Sequence, residues 1–199
     1  MLATAGGKPF TSPDWLYEIK YDGYRCMARV ADGAAELRTK SGLECTGWFP
    51  ELTRALANVP GGPHVIDGEV CVLDDLGRSD FDRLRARASR KRWHEGCDAV
   101  TLCAFDLLFE GGTNVMSLPL VERKASLAKL LANIPSVLVV GDLPARAELF
   151  ERAVQPLLLE GFVAKRRTSS YQPGVRSPDW LKIKRKGAVP PERFKRRGH

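Results

Sequence analysis

The chain has little from which a metal-braced or disulfide-braced protein is built. Its three histidines, His64, His94 and His199, stand far apart with no ligand spacing, which leaves neither a zinc pattern nor a Ser-His-Asp order. The five cysteines, Cys26, Cys45, Cys71, Cys97 and Cys103, are odd in number and form no CxxC pair. Free thiols in a reducing compartment are therefore expected, not a disulfide frame. No apolar run is long enough to span a bilayer. The start, MLATAGGKPF, lacks the charged-then-apolar pattern of a signal segment, so the cytoplasm or nucleoid is the expected location. Internal repeats, low-complexity stretches and a G-x-G-x-x-G after a strand are also missing, which argues against solenoids and dinucleotide folds.

What is present is a basic, globular composition. In 199 residues, 44% are apolar and the net charge is +7, with a mean hydropathy of −0.23 and a pI near 9.3. That is enough apolar material for a sizeable core. The positive charge is uneven. Residues 83–92, RLRARASRKR, hold six basic side chains and no acidic one, and residues 182–197 hold eight basic and one acidic. Such runs suit a polyanionic partner, because lysine and arginine gain by displacing counterions from phosphates.

Period-2 patterning predicts strands over 15–20, 64–72, 101–109, 160–165 and 180–185. In the first of these Glu18 and Lys20 share a face; in the second Asp67, Glu69 and Cys71 do. Helical spacing predicts helices over 49–59, 80–93, 120–134 and 145–154, the second behind a Ser79/Asp80 cap. Strands and helices do not alternate as a βαβ series. The expected class is α+β, with antiparallel or mixed sheets flanked by helices. Residues 1–185 are expected to form the domain and residues 186–199 a basic tail.

The most informative stretch is Lys20-Tyr21-Asp22-Gly23-Tyr24-Arg25. K-x-D-G-x-R arises by chance in such a chain about one time in a thousand, and it reads as the loop of an enzyme that attaches a nucleotide to its own lysine. A lysine amine attacks phosphorus only when neutral, a form that neighbouring cations favour. Lys182 and Lys184, two apart on a predicted strand, would supply them and bind phosphates.

Five stretches in order then resemble the nucleotidyltransferase domain of ATP-dependent DNA ligases, most of all the ligase module of bacterial end-joining ligases. They are Glu18 to Arg25, Asp67-Gly68-Glu69-Val70, Phe105-Asp106-Leu107-Leu108, Glu160 to Lys165, and Ser177 to Lys184. The resemblance implies an ATP-grasp-like nucleotidyltransferase fold and a role for each residue. Lys20 would form the lysine–AMP bond. Glu18 and Ile19 would hold the adenine edge, and Phe105 would stack on the base. Glu69 would bind ribose or metal, and Glu160 and Asp22 would serve Mg²⁺ (or Mn²⁺). Arg25 and Lys165 would fix sugar and phosphate, with Lys182 and Lys184 on the phosphates. Arg25, Arg38, Lys40 and Arg176 would meet DNA. ATP is the implied nucleotide, nicked or broken duplex DNA the implied partner, with an end-binding repair protein beside it and a monomer as the expected state.

Two departures matter. Lys40 stands where the resembled motif usually has arginine, which keeps charge and loses bidentate geometry. Only fifteen residues follow Lys184, too few for the five-stranded OB barrel that the family carries there. Weak self-adenylation is expected, with sealing of pre-adenylated nicks better preserved. RNA ligase, capping-type guanylyltransferase and non-catalytic nucleic-acid scaffold are the alternative readings.

Overall fold

A computed structural model describes residues 1–188. In chain order its elements are β1 (Leu2–Ala5), β2 (Ser12–Ile19), β3 (Tyr24–Ala31), β4 (Ala34–Thr39), α1 (Pro50–Leu56), β5 (His64–Cys71), α2 (Phe81–Ser89), β6 (Thr101–Glu110), β7 (Thr113–Asn114), α3 (Leu120–Leu130), β8 (Val137–Val139), β9 (Leu143–Ala145), β10 (Gly161–Arg166) and β11 (Arg176–Lys184). A 3₁₀ turn, Thr46–Trp48, precedes α1, and a π-helical turn, Phe150–Val154, precedes β10. The expected α+β class is the one observed. Most of the expected basic tail, residues 189–199, lies outside the described residues.

The chain divides into two compact units. The first comprises Met1–Lys20, Gly141–Arg166 and the described part of Pro173–His199. Its sheet has the order β1-β11-β10-β2-β9. Only the β1–β11 pair is parallel. Strand alternation sorts the side chains. Tyr17 on β2, Phe162 and Ala164 on β10, and Ile183 on β11 join one core with Phe150, Val154 and Leu159. Tyr17 stacks on Phe162 at 5.0 Å between centroids. Burial of each such large side chain stabilises by roughly 1.5–3 kcal/mol. The alternate positions, Glu18, Lys165, Trp180, Lys182 and Lys184, therefore fall on the opposite face.

The second unit comprises Tyr21–Val140 and Arg167–Gln172. Its sheet runs β4-β3-β5-β6-β7, with β8 parallel to β6. One face carries Cys26, Ala28, Ile66, Val70, Leu102 and Leu107 into a core closed by Phe49, Leu52 and Leu56 around α1, by Leu84 and Ala88 of α2, and by Leu127 of α3. The other face carries Asp67, Glu69, Cys71, Cys103 and Phe105. The predicted cap of α2 is present, with the Asp80 side chain accepting from the Arg83 N–H at 3.0 Å.

Several expected bounds shift. Strand β2 begins at Ser12 and β11 at Arg176, both earlier than expected, because sheet partners extend them. Helix α2 stops at Ser89, four residues short of the expected end, where Lys91 takes a left-handed φ of 52°. The helix expected over 145–154 is present from residue 148 to residue 154, with Ala145 ending β9 and Phe150–Val154 wound as a π-helical turn. The β3–β4 hairpin was not foreseen at all. Its tip residues Asp32 and Gly33 both take positive φ, 53° and 71°, the turn that joins right-handed twisted strands.

Candidate active site

In the first unit the face opposite the core is a set of closed charge pairs. Lys20 lies one residue past β2, and its backbone N–H donates to the Gly161 carbonyl at 3.0 Å. Its ammonium donates to Glu160 Oε2 at 2.5 Å. The other carboxylate oxygen, Oε1, forms an ion pair with the Lys184 ammonium at 2.7 Å, without hydrogen-bond geometry. One carboxylate thus holds both lysines. Glu160 itself is fixed from behind, since its carbonyl accepts from the Arg185 N–H at 2.9 Å. The next residue has to be glycine. Gly161 has φ +153°, and a Cβ there would lie 2.1 Å from the Ile183 carbonyl.

A second pair lies deeper. Glu18 Oε2 and Lys165 Nζ are 2.6 Å apart, with side chains 3% and 2% exposed. The Lys165 ammonium also sits 4.1 Å from the Trp180 ring centroid, a cation–π contact that gains as water is excluded. A buried pair persists only where geometry and extra contacts repay desolvation, and this one has both. Ile19 packs on the core side of the same strand, and Lys182 is half-buried on β11 opposite Val163.

The second unit holds the other expected residues. The Asp22 N–H donates to Ser79 Oγ at 2.9 Å, and the Gly23 N–H to Glu69 Oε1 at 3.1 Å. A Cβ on Gly23 would meet the Val70 carbonyl at 2.1 Å, so the glycine of the K-x-D-G-x-R loop is a packing requirement. Arg25 is bidentate to the fully buried Asp67, at 3.0 and 2.6 Å. Tyr171 donates to the same carboxylate at 2.7 Å and accepts from Arg25 at 3.3 Å. Burial works against the Arg25 charge, but the hydrogen bonds and charge of Asp67 outweigh it and hold the guanidinium above its ordinary value. Burial, then Asp67, pushes the Tyr171 phenol up, so it remains a donor at neutral pH. Burial beside Cys103 and Cys71 raises Tyr21 to about 12. The Arg25 guanidinium lies 5.4 Å from the Phe105 ring centroid.

A fully buried ion pair supports this face. Arg123 of α3 is bidentate to Asp106 of β6 at 2.7 and 2.9 Å. Its remaining nitrogen bonds the Leu118 and Ser169 carbonyls. It therefore fixes the 167–172 segment that carries Tyr171. Beside Arg25 opens a cavity of about 730 Å³, walled by Gly23, Tyr24, Lys40, Trp48, Glu69 and Phe81 among others. Arg38 and Lys40 are exposed at the end of β4. Arg176 donates to the Ala3 carbonyl at 2.6 Å, a contact within the first unit's sheet.

Some expectations are met differently. A carboxylate, Glu160, contacts Lys20, and the same carboxylate contacts Lys184. Among the described residues no three His, Cys, Asp or Glu side chains stand together as ion ligands. The oxygens of Glu160 already carry two ammoniums, and Glu69 accepts from a backbone amide. Asp67, Tyr171 and Asp106 fall in stretches that resemble the family but carry no role from the sequence, and Arg123 carries none either. The signal for Asp67 was an acid inside the apolar run Val65-Ile66, which requires a buried cationic partner. For Tyr171 and Arg123 no sequence signal pairs them with their partners.

Known proteins are similar to this chain in sequence and in fold. The family model for the ATP-dependent DNA ligase domain matches residues 4–184. A DNA ligase-like protein from a Bacillus subtilis prophage is 32% identical over 184 residues, covering 92% of this chain and 66% of that protein. The multifunctional end-joining DNA repair protein LigD of Mycobacterium tuberculosis is 37% identical over 186 residues, covering 92% and 23%. Among solved structures, a mycobacterial DNA ligase D complexed with ATP superposes with a TM-score of 0.79 at 33% identity, covering 92% of this chain and 58% of that one. The ligase domain of Mycobacterium tuberculosis LigD gives 0.76 at 34%, covering 92% and 59%. The chain therefore spans under a quarter of the length of the end-joining protein and about three fifths of the solved ligase chains.

Proposed function

This chain belongs to the ATP-dependent DNA ligase family, and we propose that it is the adenylating part of a ligase that seals breaks in duplex DNA for bacterial repair and end joining. The observation that carries the proposal is the Lys20–Glu160–Lys184 cluster. It places an amine, its proton acceptor and a phosphate-binding cation on one carboxylate.

Lys20 Nζ attacks the α-phosphorus of ATP, the bond to pyrophosphate breaks, and a lysine–AMP bond forms. The ammonium must first lose a proton, and Glu160 Oε2 is the base within hydrogen-bond reach. Lys184 and Lys182 stabilise charge on the equatorial oxygens. Lys165 is held by Glu18 beside Trp180, while Glu18 and Ile19 present the adenine edge contacts. Phe105 offers one ring face to the adenine, its geometry set by the Arg25 contact. Glu69 serves the ribose. AMP then passes to a DNA 5′-phosphate, and a 3′-hydroxyl displaces it. Arg25, Arg38, Lys40 and Arg176 are the cations assigned to DNA.

Mg²⁺ fits this donor set through Glu160, since the ion is commonly held by one or two carboxylates plus nucleotide phosphates. When bound there it would neutralise the nucleotide phosphates.

The test is intact mass after incubation with Mg²⁺ and ATP, with Lys20→Ala alongside. A gain of one AMP in the parent and none in the variant supports the reading. Equal mass gain in both places the adduct elsewhere and overturns it. A parallel arm with GTP separates ATP ligase from capping-type chemistry, and sealing of a pre-adenylated nick separates an enzyme from a scaffold.

A further inference from the structure

The turn after α2 carries cations that the adenylation chemistry does not use. Arg90, Lys91 and Arg92 are all exposed, and among the described residues none of them has a carboxylate partner. The arginines earlier in the same run differ. Arg83 pairs with Asp98, Arg85 with Asp82 at 3.3 Å, and Arg87 with Glu51 at 2.9 Å. The basic run is thus two populations, one neutralised and one not.

The unpaired turn is built and held. The Arg87 side chain is fully buried, and it donates to the Arg92 carbonyl at 2.9 Å while lying 5.5 Å from the Phe49 ring centroid. The Lys91 N–H closes the helix on the Ala88 carbonyl at 3.0 Å. Lys91 takes φ 52°, a left-handed conformation that costs a non-glycine residue energy. Its ammonium lies 5.7 Å from the Trp48 ring centroid. Trp48 in turn walls the cavity that Arg25 and Lys40 also wall, and Lys40 too is exposed with no carboxylate partner among the described residues. Lys40, Trp48 and the 90–92 turn therefore form one continuous basic edge. A buried arginine that fixes the backbone of three solvent-facing cations is an arrangement for presenting charge. A merely solvated basic face would not require it.

We propose that the turn Arg90-Lys91-Arg92 is a phosphate clamp for the duplex DNA flanking the break, extending the cavity edge at Lys40 and Trp48. This rests on the ligase reading above. The clamp touches backbone phosphates and carries no sequence preference.

The experiment is nicked-duplex binding by fluorescence anisotropy across a salt series, beside the AMP adduct assay. The variant is Arg90→Gln, Lys91→Asn, Arg92→Gln, with asparagine chosen because it tolerates the left-handed backbone. Removing one cation from a phosphate should lower the slope of log K against log salt by about one. The expected result is a slope reduced by about two to three, equal for two unrelated duplex sequences, with adduct formation unchanged. The control is Arg83→Gln, Arg85→Gln, whose charges are already paired, and whose slope should stay near the parent's. An unchanged slope in the triple variant overturns the clamp. So does an equal fall in both variants, which would report net charge alone. Absence both of the adduct in the parent and of sealing of a pre-adenylated nick would sink the ligase reading and leave the slope comparison to decide the clamp by itself.

Discussion

The lysine cluster of the first unit and the basic edge of the second treat charge in opposite ways. In the first, each described cation central to the proposed chemistry has a short carboxylate contact or sits on the same strand as one that does: Lys20 and Lys184 on Glu160, Lys165 on Glu18. In the second, Lys40, Arg90, Lys91 and Arg92 are exposed without such partners among the described residues, while aromatic walls stand beside them. Paired, shielded charge is little affected by salt and sensitive to the removal of one partner. Exposed, unpaired charge is the reverse: each group contributes modestly, and salt screens all of them. Substitutions should therefore act through local chemistry in the lysine cluster and through ionic strength along the basic edge.

The sharpest way to break that contrast is Glu160→Gln. The side chain keeps its shape and loses the charge that holds two ammoniums. Adduct formation should fall by about 100-fold or more, the usual scale for removing a general base. The measurement is the rate of AMP–protein formation from intact mass. A fall of less than about threefold would mean that the cluster is only structural.

Next in size is Asp106→Asn, which leaves the Arg123 guanidinium in a fully buried site without its counter-charge. Breaking such a pair costs about 3–5 kcal/mol. Thermal unfolding should show a lowered midpoint, by about 10 °C in a chain of this size. The variant tests whether buried pairing in the second unit is support, as distinct from the chemistry of the first. Adduct yield per folded molecule should hold far better than in Glu160→Gln.

Tyr171→Phe is milder. It removes the hydroxyl donated to Asp67 while the Arg25 bidentate pair survives. A destabilisation of about 1–2 kcal/mol is expected, for a hydrogen bond to a charged acceptor, read by denaturant unfolding. With the Tyr171 phenol raised by burial and by Asp67, its deprotonation lies well above neutrality. The parent-to-variant difference should therefore be flat between about pH 6 and about pH 8; a difference that disappears within that range would show that the phenol is not the donor.

The contrast also explains what could be read in the sequence. Alternation along Trp15 to Ile19, together with the K-x-D-G-x-R loop, located the charged strand face, because period 2 is local. It also placed Asp67, Glu69 and Cys71 on one face, where they are. What alternation cannot give is the partner. Lys20 and Glu160 are 140 residues apart, and Asp67 and Tyr171 are 104 apart. Pairing at that separation is set by sheet order, and nothing in the local pattern announces that β10 lies between β2 and β11. The β4 strand shows the opposite failure. Ala35 and Leu37 are buried and Glu36 and Arg38 exposed, so a legible alternation was passed over among more strongly apolar neighbours. The helix expected over 145–154 loses only its start, where sheet pairing of Leu143–Ala145 with β2 takes Ala145 into a strand; residues 148–154 are helical.

The smallest expected effect is the most discriminating one. Lys40→Gln removes one exposed cation at the cavity edge and touches no carboxylate. Adduct formation, which needs no DNA, should stay within about twofold, since exposed charges contribute little to local chemistry. Nick binding should weaken uniformly across sequences, with the salt slope reduced by about one. Lys184→Gln is its counterpart in the first unit: the same chemical change, made at a cation that shares Glu160 with Lys20. It should slow adduct formation and leave the salt slope of nick binding near the parent's. If the two substitutions produced the same pair of readouts, paired and unpaired lysines would be doing one job, and the distinction between the units would fail.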